Sequence, residues 1–195
     1  MTVVDSSPTA QRAPAKGRIL DTANVLFYEV GINSVGVDRI IAQSSVTKAT
    51  FYKHYRAKDN LIVEYITTRH LAVRAECDAI IAAATTPAAA LFAIVAAAIG
   101  EINTQGFRGC PFINAAAEYP AANHPVRRVI SEHREWFVDA LAQLLKAAGH
   151  PVPGDAADEL LLARDGAMSG GYSGDSIAVT AAFDRVTRRV LADAT

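Results

Sequence analysis

The sequence predicts an all-α protein, with a three-helix head of helix-turn-helix type followed by a helical bundle, about nine helices in all. Two observations predict it. Apolar residues recur every three or four positions along nearly every periodic segment, and no alternating strand pattern persists. The breaks between segments carry the glycines, prolines and small polar residues that start and stop helices. The chain has 195 residues, of which 51% are apolar, enough to bury a real core.

Each element has its own signal. Ile19, Ala23, Leu26, Phe27 and Val30 keep one face, and Gly31 stops that first helix. Val37, Ile40 and Ile41 mark a short second helix, broken at Ser44-Ser45. Thr47 is a good N-cap for a third, running to about Tyr55. After the Arg56-Ala57 turn, Asp59 suits the N-terminal dipole of a long fourth helix that continues to about Ala84. Thr86-Pro87 caps and opens a fifth, with Leu91, Phe92, Val95, Ile99 and Ile102 on one face. Gly106 and Gly109 break the chain, Pro111 opens a short sixth helix, and Pro120 ends it. Asn123 and Pro125 open a long seventh, with Val126, Ile130, His133, Phe137, Leu141 and Leu144 inward. Past a Pro/Gly loop at Gly149 to Gly154, an eighth helix starts at Asp155. It presents Ala156, Leu160, Ala163, Ala167 and Gly170, and a ninth from about Asp175 presents Val179, Phe183, Val186 and Val190.

Composition narrows the function. The longest apolar run, Ala88 to Gly100, is short of the roughly 18 residues a membrane span needs. The N-terminal stretch has no apolar segment of the signal-peptide kind and reads as a flexible arm over residues 1–15. Two cysteines make no disulfide framework, so a reducing cytoplasm is the expected home. The formal net charge of −1 conceals an asymmetry: residues 1–60 carry eight Lys or Arg against five acids, and the rest of the chain is acidic. A basic head is the local positive surface that nucleic acid requires.

Within that head, the segment TKATFYKHYRAKDNL alternates aromatics with cations. The second and third helices are short and joined by small polar residues, the layout in which the second of the pair enters a DNA major groove. Phe51 faces the other two helices, and Tyr55 is expected to be buried. Lys48 and Lys53 can reach phosphate or guanine, and Thr50 can meet a base. Tyr52 and His54 can donate to phosphate oxygens.

Residues 18–65 resemble the DNA-binding domain of the TetR/AcrR family of bacterial transcriptional regulators, through RILDTANVLFYEVG, VDRIIAQ and above all VTKATFYKHYRAKDNL. The resemblance implies that Lys48, Ala49, Thr50 and Lys53 face bases or nearby phosphates, and that Tyr52, His54 and Lys58 clamp the backbone. With Thr47 these form the expected DNA-facing set. The chain departs from the family pattern at Ser45, where the turn usually carries glycine, at Ala49, and at Gly36. On this reading residues 16–60 are the DNA-binding domain and 61–195 the ligand-binding and dimerisation domain.

In the body, the small residues of the eighth helix suit a close helix-helix seam, either within the chain or between copies. The resemblance favours a homodimer joined by the last two helices. A twofold pair of recognition helices would read palindromic double-stranded DNA at a spacing of about 34–36 Å. In GCPFINAAAEYP, Cys110, Asn114 and Glu118 fall at i, i+4 and i+8. With Phe92, Tyr119, His133 and Trp136 they are candidates to line a pocket for a small apolar or aromatic effector. Alternatively Asn114 and Glu118 tie helices together. Cys110 precedes a helix N-terminus, which favours a thiolate and would suit a sensor of oxidants or electrophiles. A cysteine enzyme using Cys110, His133 and Glu118 is the least supported reading. No phosphate loop, metal-ligand spacing or cofactor motif is present, so no metal or cofactor is expected. The expected function is a DNA-binding transcriptional regulator, a repressor released from its operator by a small molecule.

Overall fold

The computed structural model describes residues 14–194. The expected N-terminal arm therefore lies almost wholly outside the described residues. Within them the chain is helical throughout: α1 (Ala15–Val30), α2 (Val37–Ser44), α3 (Lys48–His54), α4 (Lys58–Ala83), α5 (Pro87–Ile102), α6 (Pro111–Glu118), α7 (Pro125–Ala147), α8 (Pro153–Ser173) and α9 (Ser176–Ala192).

Helix ends follow the capping chemistry. Thr47 Oγ1 accepts the Thr50 N–H at 3.1 Å, and Thr86 Oγ1 accepts that of Ala89 at 3.1 Å ahead of Pro87. Asp175 Oδ1 accepts the N–H groups of Ile177 and Ala178, opening α9. His124, rather than Asn123, caps α7, accepting the Val126 N–H through Nδ1 at 3.3 Å. Ser45 ends α2 in the left-handed region at φ 53°, which explains why glycine is common at this turn.

One continuous core joins the head to the near half of the body. Ile19, Phe27, Ile40, Phe51 and Tyr55 pack with the first turns of α4, through Leu61, Ile62, Tyr65 and Ile66. The same cluster continues into Val95, Phe112, Ala115 and Ile130. Residue 60, the expected domain limit, thus falls within α4, whose first turns belong to the head's interior. A second cluster, with Leu91, Phe137, Leu141, Leu145 and Leu160, fills the far half. Leu144 was expected inward; Leu145 takes that place fully buried, and Leu144 is only half-buried.

The small stripe on α8 is used inside the chain. Ala156, Leu160 and Ala167 are buried. A Cβ on Gly170 would come within 2.8 Å of Val179 Cγ1 on α9. The stripe lets α8 and α9 close into a tight hairpin, the within-chain alternative of the two that its spacing allows. The outward face of this hairpin carries Leu162 and Ile177, 75% and 78% exposed.

Candidate nucleic-acid interface and effector chamber

α3 is held from behind and open in front. Phe51 is fully buried and Tyr55 nearly so, the two rings 6.0 Å apart. Arg18 of α1 donates through Nε to the Ser44 carbonyl at 3.1 Å, fixing the end of α2 that leads into the turn. Opposite that anchor, Lys48, Ala49, Tyr52, Lys53 and His54 are exposed. The Tyr52 ring meets Phe51 edge-on at 5.3 Å, which presents its hydroxyl outward from a fixed base. Thr50 is half-buried, and its Oγ1 lies 2.8 Å from that of Thr47, so part of its hydrogen-bonding capacity is used in the cap. Lys48 sits 3.8 Å from Asp38 with both side chains exposed, a contact worth little in water. Arg39 on α2 and Arg56 after α3 are also exposed and basic. Neither lies within α3, and neither belongs to the expected DNA-facing set.

Lys58 differs from its expected place. Its ammonium turns inward, donates to the Ile32 carbonyl at 2.6 Å and lies 5.8 Å from the centre of the Phe27 ring. Burial pulls its pKa down, while Glu118 and Asp59 oppose the shift. The loop it holds is also held from the other side. Glu118, the last residue of α6, accepts the N–H groups of Ile32 at 2.8 Å and Asn33 at 2.5 Å. At the other end of α6, Tyr28 of α1 donates to the Gly109 carbonyl at 3.1 Å and accepts the Arg108 N–H at 2.9 Å. α6 is therefore fastened to α1 and its following loop at both ends.

Among the described residues, two of the body's cavities share Arg164. The larger, about 360 Å³, is enclosed by α4, α5, α7, α8 and α9, with Val73, Ile94, Leu141, Met168 and Phe183 as apolar walls. Glu76, Glu101, Thr104 and Arg164 supply its polar groups. Burial pushes the Glu101 carboxyl above its usual range, opposed by Arg164. The smaller, about 240 Å³, lies between α6, α7 and α8 and shares Phe137 and Arg164 with the first. Arg164 is the hinge between them: it pairs with Asp165 at 3.0 Å, and both terminal nitrogens stand 3.8 Å from Cys110 Sγ. Burial disfavours its charge, and Cys110, Asp165 and Glu101 together more than offset that.

Of the seven expected effector residues, Cys110 and His133 line the smaller cavity. Five do neither. Phe92 lies beneath the Arg188 guanidinium at 5.6 Å, and Trp136 packs against His70 and Arg74. The Tyr119 ring lies tilted against His124, their centres 4.5 Å apart. Asn114 Nδ2 donates to the Arg108 carbonyl at 2.8 Å, closing the turn before α6. Glu118 faces the head. The i, i+4, i+8 spacing is diverted at Cys110, which is the N-cap of α6 with an extended backbone and so leaves the helical face. Cys77, buried in the larger cavity's wall, has its thiol pushed up to about 11 by desolvation. Arg164, the pivotal polar residue of both cavities, was missed; its only signal was a cation amid the apolar run LLARDGAM.

Among the described residues no three His, Cys, Asp or Glu side chains are grouped to hold a metal. No helix there is long and apolar enough to cross a membrane.

A buried-anchor, basic-faced helix on a three-helix head, joined to a hollow helical body, defines a helix-turn-helix regulator. Comparison with known proteins agrees. The family model for bacterial regulatory proteins of the tetR family matches residues 19–65, and that for a tetracyclin repressor-like C-terminal domain matches residues 87–157. The TetR-family transcriptional regulator SCO4454 from Streptomyces coelicolor is 39% identical, with a TM-score of 0.89 over 92% of this chain and 95% of its own. A TetR-family regulator from Agrobacterium tumefaciens (22% identity, TM-score 0.78, 93% and 97% covered) shares the fold. So does the reduced form of E. coli NemR (17%, 0.80, 89% and 95%). No curated protein matches. The chain belongs to the TetR family of bacterial regulators, and it is a DNA-binding transcriptional regulator.

Proposed function

We propose that this regulator is a homodimeric repressor that leaves a palindromic operator when a small apolar molecule enters the 360 Å³ chamber. The observation that carries the reading is the pairing of an exposed α3 face with a chamber whose wall includes the same α4 that roots the head. Thr47, Lys48, Ala49, Thr50, Tyr52, Lys53 and His54 form the DNA-facing set, with Arg39 and Arg56 beside it. Phosphate contacts from the lysines and Tyr52 fix the register, and base contacts from α3 select the sequence. Residues 16–60 with the first turns of α4 act as the reading unit, and the remainder as the sensing and dimerising unit. Leu162 and Ile177 are large apolar residues left exposed on the last two helices, which supports dimerisation through α8 and α9. The site of action is the cytoplasm, where the operator is.

Release requires the chamber to alter the head. α4 runs from head to chamber, so a change in it reaches α3, and α6 is bonded to α1 at one end and to the loop after α1 at the other. A coupling of about 1–3 kcal/mol between effector and operator suffices. The test is a titration of the protein against a palindrome selected from random duplex DNA. Sequence-specific, salt-sensitive binding by a dimer is expected, and preference-free or monomeric binding would contradict the proposal.

A further inference from the structure

The smaller cavity differs from the chamber in charge as well as size. The chamber has two carboxylates on its wall, Glu76 and Glu101, against one guanidinium. The smaller cavity has three guanidiniums, Arg127, Arg134 and Arg164, and no carboxylate among its lining residues. Asp165, just outside, pairs with both Arg134 at 2.5 Å and Arg164 at 3.0 Å. Glu101, on the chamber side, also attracts Arg164, so two acids face three cations, and among the described residues Arg127 donates to the Tyr119 carbonyl at 3.1 Å. The site keeps an excess of positive charge.

Its position gives that charge a direction. Arg164 lies deep, with 12% of its side chain exposed, while Arg134, 44% exposed, stands at the mouth. Between them the walls are apolar: Phe112, Ile113, Ile130 and Leu161. Phe112 stacks on His133 at 3.6 Å, making a flat floor. Guanidinium pairs a carboxylate in a two-pronged geometry, and a poorly hydrated cleft strengthens that pairing. At about 240 Å³ the cavity is below the roughly 300–1,000 Å³ of drug-sized sites, so it fits a fragment-sized ligand.

We propose that the α6–α7–α8 cavity is a binding site for a small aromatic or branched carboxylate, separate from the chamber that the proposed effector occupies. The carboxylate sits among the arginines and the apolar part lies on Phe112 and Ile130. Because Ile113 and Ala116 of α6 form one wall, the ligand rests against the helix that is bonded to the head.

Calorimetric titration of the full-length protein, without DNA, tests this independently of the operator. The probes are phenylacetate and its neutral isostere phenylacetamide. One phenylacetate per chain is expected, with the amide bound about tenfold or more weakly, the ratio that loss of a charge-assisted hydrogen bond implies. Ala116→Leu, which fills this cavity, should weaken phenylacetate about tenfold or more. Ala98→Leu, which intrudes only on the chamber, should change it less than about twofold. Arg127→Gln should weaken the acid and leave the amide unchanged, and rescue by Arg127→Lys identifies charge rather than folding as the cause. Equal binding of acid and amide, no binding of either, or loss through Ala98→Leu with Ala116→Leu unaffected would overturn the proposal.

Discussion

Glu118 accepts the backbone N–H of Ile32 at 2.8 Å across 86 positions of sequence, with its second oxygen on the N–H of Asn33. One carboxylate at the end of α6 thus caps the loop that leads from α1 into the helix-turn-helix. Lys58 holds the carbonyl of the same Ile32. Removing either partner loosens the same peptide. Glu118→Gln keeps one acceptor and loses the charge, with an expected cost of about 1–2 kcal/mol. That is a fall in melting temperature of roughly 2–8 °C for a chain of this size. Lys58→Met should cost a similar amount, and the two should be non-additive by about 0.5 kcal/mol or more in a double-mutant cycle. Additive losses in chemical denaturation would show that the two residues act separately.

His133 and His70 face each other from α7 and α4, their Nδ1 atoms 3.1 Å apart, so one ring donates and the other accepts. Burial, then the charges of Arg164, His70 and Arg134, drive the His133 pKa from 6.5 down to about 3, and burial lowers that of His70 too. Between pH 6.5 and 3 the unfolded chain binds a proton on His133 that the folded chain refuses. The unfolded state then holds more protons, so stability is complete above pH 6.5 and falls as pH drops towards 3. About 1–2 kcal/mol should be lost by pH 5 relative to pH 7 from this residue. His133→Phe should flatten that part of the profile, as read by urea midpoints at both pH values. An unchanged acid slope would contradict the assignment.

Ser45 occupies a left-handed backbone position at φ 53°. A side chain there is strained, and glycine is not. Ser45→Gly should stabilise the protein by about 0.5–1 kcal/mol without altering which duplex it prefers. A lower denaturation midpoint would mean that the serine makes a compensating contact.

Leu162 and Ile177 stand outward on α8 and α9. Glutamate at both positions of each protomer should place like charges in the proposed dimer contact and shift the protein to monomer at micromolar concentration. Light scattering with size exclusion reads this directly, and an intact dimer would place the contact elsewhere.

Most of the architecture was readable from the residues. Helix periodicity, the Thr86-Pro87 cap and the helix-opening Pro111 located the elements within a residue or two, because those signals are local. Phe51 and Tyr55 were legible as anchors, since each is large and placed on the inward side of a short helix. Of the cavity linings, only Cys110 and His133 were legible. Asn114 and Glu118 share a face by spacing, but which element that face meets depends on how α6 lies against α1, a contact 86 residues away in sequence. The α8 stripe shows the same limit: its spacing states that a close neighbour exists, and only the fold says that the neighbour is α9 of the same chain. Lys58 was misplaced for a related reason, because a lysine's long stem lets its charge turn inward to an acceptor that local pattern cannot reveal.

The central claim is that the exposed face of α3 reads an operator. Its most direct test is the affinity of a Lys48→Ala, Tyr52→Ala double variant for a palindrome selected by the wild-type protein, measured by fluorescence anisotropy at fixed salt. Two phosphate or base contacts vanish from each protomer, so affinity should fall by about a hundredfold or more, with a shallower salt dependence. The circular dichroism spectrum and the dimer should be unchanged. A folded, dimeric double variant that binds the palindrome as tightly as the wild type would contradict the account.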